Sequence, residues 1–159
     1  MSVAFTKEND AEAVAADLPD RPIPAHANLV TPRGLALIEA ELTAARAAYA
    51  AAQAGDSISS DRTAMARATR DLRYWAARRA SAQLVEARPA AGRIGFGSRV
   101  SIEREDGRRQ TWAIVGDDEA DPAQGSISHA APLARAVMGR QVGDIVHVAG
   151  QEVEIIAAD

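Results

Sequence analysis

Residues 31–55 read TPRGLALIEAELTAARAAYAAAQAG, and the way this stretch repeats decides the first half of the fold. Thr31 suits a helix N-cap, and Pro32 suits the first helical position, where its missing N–H leaves nothing unsatisfied. Leu35, Ile38, Leu42, Ala45, Tyr49 and Ala52 follow at alternating spacings of three and four, the a/d rhythm of a helical seam. Gly55 ends the run, and Asp56-Ser57-Ile58-Ser59-Ser60-Asp61 is a turn of short polar side chains able to cap the next helix. A second helix is expected from about Asp61 to Ala87, with Met65, Ala68, Leu72 and Trp75 in its seam and Leu84 and Val85 closing its base. Arms of about 24 and 27 residues joined by a short turn predict an antiparallel hairpin roughly 36 Å long.

Composition agrees with that reading. Alanine supplies 37 of the 159 residues, and it is the best helix former while burying little surface. Aromatics are only 4%. The net charge is −4, which excludes a generally basic nucleic-acid coat. Cysteine is absent, so disulfides, thiolate metal sites and cysteine nucleophiles are excluded. No apolar run approaches the roughly 18 residues of a spanning helix. The opening MSVAFTKENDAEAVAADLPD is acidic and lacks the apolar core of a signal peptide. A soluble, cytoplasmic protein without membrane contact is expected.

Charge is unevenly distributed. Residues 1–30 carry −3, residues 31–88 carry +3, and residues 89–159 carry −4. Four stretches follow: a mobile acidic tail over 1–29 with Pro19, Pro22 and Pro24, a hairpin over 30–88, a linker over 89–95, and a domain over 96–159. The tail is too poor in apolar surface to offset its ordering entropy, although a short helix fits Asp10–Ala16. Arg62, Arg67, Arg70, Arg73, Arg78 and Arg79 crowd the second arm. They read either as a solvated face whose stems cover alanine, or as a positive flank for an acidic surface or RNA.

Beyond the linker the apolar period changes to two. Val100-Ser101-Ile102 leads through the turn Glu105-Asp106-Gly107 into Thr111–Val115, and Ile145–Val148 and Val153–Ile156 are joined at Ala149-Gly150. Pro132–Met138 reads as one short helix. The expected class is α+β, with a helical hairpin followed by a small antiparallel sheet domain. Phe96, Trp112, Ile114, Leu133, Val137 and Ile155 are its predicted core.

Few residues describe a site. Asp117, Asp118, Glu119 and Asp121 lack the alternation, mid-loop glycine and closing glutamate of a calcium loop, so a solvated turn is expected. His26, His129 and His147 have no HxxxH or HxH spacing, and no intrinsic metal site is expected from them. There is no nucleophile elbow and no glycine-rich phosphate loop. The hairpin tip stands apart. Asp56 and Asp61 flank a turn at the end of a narrow support, from which a carboxylate could share a magnesium ion with acids on a partner. The plainer reading is that Asp56 ends one helix and Asp61 favours the positive end of the next.

The chain resembles the GreA/GreB family of bacterial transcript-cleavage and elongation factors over about residues 29–159. Phe96-Gly97-Ser98-Arg99-Val100 is similar to the opening of that family's C-terminal domain, and Ile114-Val115-Gly116-Asp117-Asp118-Glu119-Ala120-Asp121 to its signature run. Gly125-Ser126-Ile127-Ser128, then Ser128-His129-Ala130-Ala131-Pro132-Leu133-Ala134-Arg135-Ala136, then Met138-Gly139-Arg140-Gln141-Val142-Gly143-Asp144 continue it in order. Thr31-Pro32-Arg33-Gly34-Leu35 matches the family's helix opening. The resemblance implies a coiled-coil hairpin, an FKBP-like C-terminal domain, and binding to RNA polymerase, with the hairpin entering the secondary channel and the domain at its rim. It implies only indirect contact with nascent RNA and DNA, no cofactor of the protein's own, and at most a magnesium shared with polymerase at Asp56. Pro132, Leu133, Ala134 and Arg135 are the candidate partner-binding residues.

The tip departs from the family pattern. Cleavage factors carry a Gly-Asp-Leu-x-Glu-Asn run whose acids help hold the catalytic magnesium. Gly55-Asp56 matches its first two positions, but the glutamate position falls on Ser59. The first arm is also about nine residues shorter than in typical cleavage factors, roughly 13 Å of reach. The expected function is a polymerase-binding elongation regulator with weak or no cleavage stimulation, and not an enzyme. Two alternatives stay open: a true cleavage factor using Asp56 and Asp61, and a short-armed regulator resembling Rnk. A prolyl isomerase by fold analogy is disfavoured, because few aromatics are available to line a proline pocket.

Overall fold

The structure, a computed structural model, describes residues 18–55, 58–86 and 89–159. In chain order the elements are β1 (Leu29–Val30), α1 (Pro32–Gln53), α2 (Ile58–Ser81), β2 (Gln83–Leu84), β3 (Arg99–Arg104), β4 (Arg109–Val115), β5 (Ser126–Ser128), α3 (Pro132–Val137), β6 (Ile145–Val148) and β7 (Gln151–Ala158). They fall into two units. One joins the described residues through Ala25 to Ile38–Ser81, and the other joins His26–Leu37 to Ala82–Asp159.

The helical unit follows its seam. Ile38, Leu42 and Ala45 of α1 are buried, as are Ala68 and Trp75 of α2, while Tyr49, Ala52, Met65 and Leu72 are half-buried. Arg79 Nε of the last turn of α2 donates to Glu39 Oε1 near the start of α1 at 2.9 Å, so the arms run antiparallel. Arg78 differs from the solvated arginine face expected of it: it is only 1% exposed. It continues the Trp75 rhythm by three residues, so the helical twist turns it inward among the seam positions.

The arms have 22 and 24 residues, about 33 and 36 Å at 1.5 Å per residue. The second helix ends at Ser81 rather than Ala87. Ser81 Oγ donates back to the Ala77 carbonyl at 2.9 Å, a bond that competes with helix continuation. The chain then leaves as β2, which places Leu84 on the surface instead of at the hairpin base.

The tail is shorter than expected on its C-terminal side. The Arg21 guanidinium lies 3.8 Å from the Tyr74 ring centroid, and Asp20 pairs with Arg73 at 3.3 Å. A stacked cation over a Tyr–Trp pair and a backbone strand at β1 give residues 18–30 the partners that their composition did not advertise. The Asp10–Ala16 helix lies outside the described residues.

In the second unit β1 pairs in parallel with β2, Leu29 opposite Gln83 and Val30 opposite Leu84. The main sheet has five strands in the order β5-β4-β3-β7-β6. β3 and β4 form the expected hairpin through residues 105–108, and β6 and β7 the one through Ala149-Gly150. The sheet is mixed rather than wholly antiparallel: after β4 the chain loops through a 3-10 turn at Pro122–Gln124 and returns beside β4 in the same direction as β5. Val100, Ile102, Ile114, Val146, Val153 and Ile155 face α3, whose Leu133, Ala134 and Val137 complete one core. Each such side chain contributes about 1.5–3 kcal/mol by leaving water. Trp112 packs at the margin of that core, and Phe96 is half-buried beside His129.

Candidate functional site

The acidic turn after β4 is neither a solvated turn nor a calcium loop. Its carboxylates hold the segment that leads into α1. Asp117 Oδ2 pairs with His26 Nε2 at 2.8 Å, and Asp117 Oδ1 accepts from Ser128 Oγ at 2.5 Å. Glu119 Oε2 accepts from the Thr31 hydroxyl at 2.5 Å. The same Thr31 oxygen accepts the Gly34 N–H at 2.9 Å, so the helix cap and the acidic turn share one hydroxyl. Asp121 Oδ1 accepts from the Ala123 N–H and caps the 3-10 turn.

Two glycines make this approach possible. A Cβ on Gly116 would stand 2.4 Å from the Leu29 carbonyl oxygen, and one on Gly34 would stand 2.7 Å from Glu119 Oε2. The Gly-Asp-Asp-Glu run is thus a latch, with glycine for clearance and carboxylates for grip. Burial pushes the Asp117 carboxyl up, but the hydrogen bonds from Ser128 and His26, with the imidazoles of His26 and His129 close by, more than offset this. The group therefore sits below the usual carboxylate range.

His129 joins the same cluster from the loop between β5 and α3. It is buried, with its ring edge-on to Phe96 at 5.6 Å and to His26 at 5.2 Å between centroids. Sequence spacing gave no hint of this meeting, because 91 positions separate His26 from Asp117.

α3 starts with proline at its first position and is anchored by its inner face. Of the four candidate contact residues, Leu133 and Ala134 have their side chains buried in that core. Pro132 and Arg135 are exposed. β6 lies against α3, and Ile145 on it is 57% exposed.

A groove of about 730 Å³ runs between Thr31, Val85, Pro89, Phe96 and Val142, and Phe96 is its only aromatic. That is a poor match to an aromatic proline pocket.

Of the tip residues, Asp56 lies outside the described residues. Asp61 is placed by its backbone alone, in the first turn of α2, and Ser59 likewise. Of the arginine flank on α2, Arg73 and Arg79 pair with carboxylates within the helical unit, and Arg70 lies beside Asp71 at 3.4 Å. No helix among the described residues is long and apolar enough to cross a membrane.

Residues 89–158 match the family described as transcription elongation factor, GreA/GreB, C-terminal. GreA of Thioalkalivibrio sulfidiphilus is 47% identical over 60 residues, 37% of this chain and 38% of that protein. GreA of Desulfovibrio desulfuricans is 38% identical over 97 residues, 60% of this chain and 59% of its own length. GreB of Neisseria meningitidis is 38% identical over 96 residues, covering 57% and 59%. The matched regions thus span from under two fifths to about three fifths of these relatives. Among solved structures, GreA factor homolog 1 (Gfh1) of Thermus thermophilus aligns over 84% of this chain and 99% of its own at 22% identity, with a TM-score of 0.40.

Proposed function

We propose that this chain, whose residues 89–158 match the GreA/GreB C-terminal family, is an RNA polymerase-binding regulator of transcription elongation. It works in the cytoplasm, inserts its helical hairpin into the secondary channel, and stimulates transcript cleavage weakly or not at all. The observation that carries the reading is the match over residues 89–158, which includes the latch and α3. In this reading Pro132 and Arg135 meet polymerase, since a guanidinium suits bidentate pairing with a carboxylate. Nascent RNA and DNA are approached only within the elongation complex. The protein is not itself an enzyme, because any catalytic magnesium and reacting phosphate belong to polymerase.

Weak cleavage follows from charge and reach at the tip. Ser59 stands where cleavage factors have a glutamate, and a serine hydroxyl brings no charge to a cation. A first arm of 22 residues favours a short-armed regulator of the Rnk kind over a full cleavage factor. Activating water at a phosphate needs the metal within ångströms of the reacting atoms.

The test is transcript cleavage by a backtracked polymerase at physiological magnesium, alongside a polymerase pull-down. Binding without stimulation is expected, and Asp56→Ala should leave binding intact. Arg135→Ala should weaken the pull-down while leaving the melting curve in place. Stimulation by the wild type that is lost in both Asp56→Ala and Asp61→Ala would overturn the reading and establish a paired-carboxylate mechanism.

A further inference from the structure

Beside the latch, three side chains from distant parts of the chain converge. His26 comes from the segment before β1, Asp117 from the turn after β4, and His129 from the loop between β5 and α3. Each offers one donor atom, and the three atoms lie within 4.8 Å of one another. Among the described residues no other group of histidines and acids converges in this way. His26, with 39% of its side chain exposed, leaves one side of the cluster open to solvent, while His129 is buried at its back.

The donor set selects its ligand. Two imidazole nitrogens and one carboxylate oxygen suit zinc and its neighbours among the divalent transition metals. Calcium and magnesium favour all-oxygen shells and would find one carboxylate here. Donors around a tetrahedral ion at 2.0–2.1 Å stand about 3.3 Å apart. The His26–Asp117 pair, at 2.8 Å, would open slightly to admit an ion, and the widest pair would close by about 1.5 Å. Rotation of the exposed His26 ring can open its pair with Asp117 without disturbing the core. Ser128 already fixes the other oxygen of Asp117, so Oδ2 is held facing the histidines. That is the kind of outer hydrogen bond that orients a ligating carboxylate.

We propose that His26, Asp117 and His129 form a binding site for one divalent transition-metal ion of the zinc class, with water in the fourth position. The ion would tie the segment before β1 to the sheet domain across 91 positions, with coordinate bonds taking the place of the His26–Asp117 hydrogen bond. Because it binds the folded arrangement and not the separated residues, it would stabilise this unit in proportion to the logarithm of its concentration above Kd. The proposal does not depend on the polymerase reading, and its test uses the protein alone.

The experiment titrates the full chain, stripped with a chelator, with Zn²⁺ by calorimetry and follows melting in parallel. Co²⁺ serves as the optical probe. One Zn²⁺ per chain, a raised melting temperature and visible Co²⁺ absorption of a four-coordinate nitrogen–oxygen site are expected. His26→Ala and Asp117→Asn should each weaken Zn²⁺ binding by more than Ser128→Ala does, whose loss of an outer hydrogen bond should cost about tenfold. His26 is exposed, so its variant should fold like the wild type and decides the matter even where His129→Ala does not fold. His147 pairs with Glu152 on the surface at 3.5 Å and is the control: His147→Ala should leave Zn²⁺ binding unchanged. Absence of saturable Zn²⁺ binding would overturn the proposal, as would an equal response to Mg²⁺. Binding lost in His147→Ala but kept in His26→Ala would also overturn it.

Discussion

In the helical unit Ile38, Leu42 and Ala45 are buried at spacings of four and three along one helix, with Ala68 and Trp75 answering from the next. In the sheet unit, Asp117 reaches His26 across 91 positions and Glu119 reaches Thr31 across 88. The first kind of burial is a property of a short stretch, since 3.6 residues per turn brings every third or fourth side chain to one face. The second exists only once strands from both ends of the chain have been brought side by side. The difference matters for function as well. The periodic arm carries the tip proposed to enter the polymerase, and the non-local unit carries the stretch that matches the GreA/GreB C-terminal family and the histidine cluster.

The largest expected effect comes from the seam. Ile38→Ala removes a fully buried side chain and should cost about 2–5 kcal/mol. Hydrogen exchange should then quicken in α1 beyond Ile38 and in α2, while β3, β4 and β7 keep their protection. Equal loss in the sheet strands would break the distinction between the two kinds of burial.

A smaller effect, of about 1–3 kcal/mol, is expected from Gly116→Ala, whose new methyl would press on the Leu29 carbonyl. Exchange should rise at residues 26–34 and 116–119, and the seam of the hairpin should stay protected. An unchanged melting curve with an intact latch would show that the close approach is not needed.

The smallest effect belongs to Arg79→Ala. It deletes an ion pair between half-exposed partners at the base of the hairpin, where screening leaves about 0.2–1 kcal/mol. A loss several times larger would mean that this pair, rather than the apolar seam, aligns the arms.

Much of the fold was legible because its signals are local. The helix start at Thr31-Pro32, the seam positions, the β3–β4 and β6–β7 hairpins and the inner face of α3 all come from periodicity or turn chemistry within about ten residues. β5 escaped notice because three residues, Ser-Ile-Ser, are too few to show alternation. β1 and β2 escaped because two-residue strands earn their assignment from each other's backbone and not from side chains. Arg78 was placed on the surface by its charge, and helical twist placed it in the seam.

The sequence by itself determined the α+β class, the antiparallel run of the two helical arms, the exposure of Arg135 and the serine at position 59. Each depends on the identity of a residue or on its spacing to near neighbours. Tertiary structure alone decided what the acids after β4 do and which histidines meet. A carboxylate in a polar turn looks the same whether it faces water or a strand arriving from the other end of the chain. Asp117 and Glu119 became a latch because β4 delivers them beside the segment from His26 to Gly34. His26 and His129 became neighbours for the same reason, and no spacing rule spans the 91 positions between His26 and Asp117.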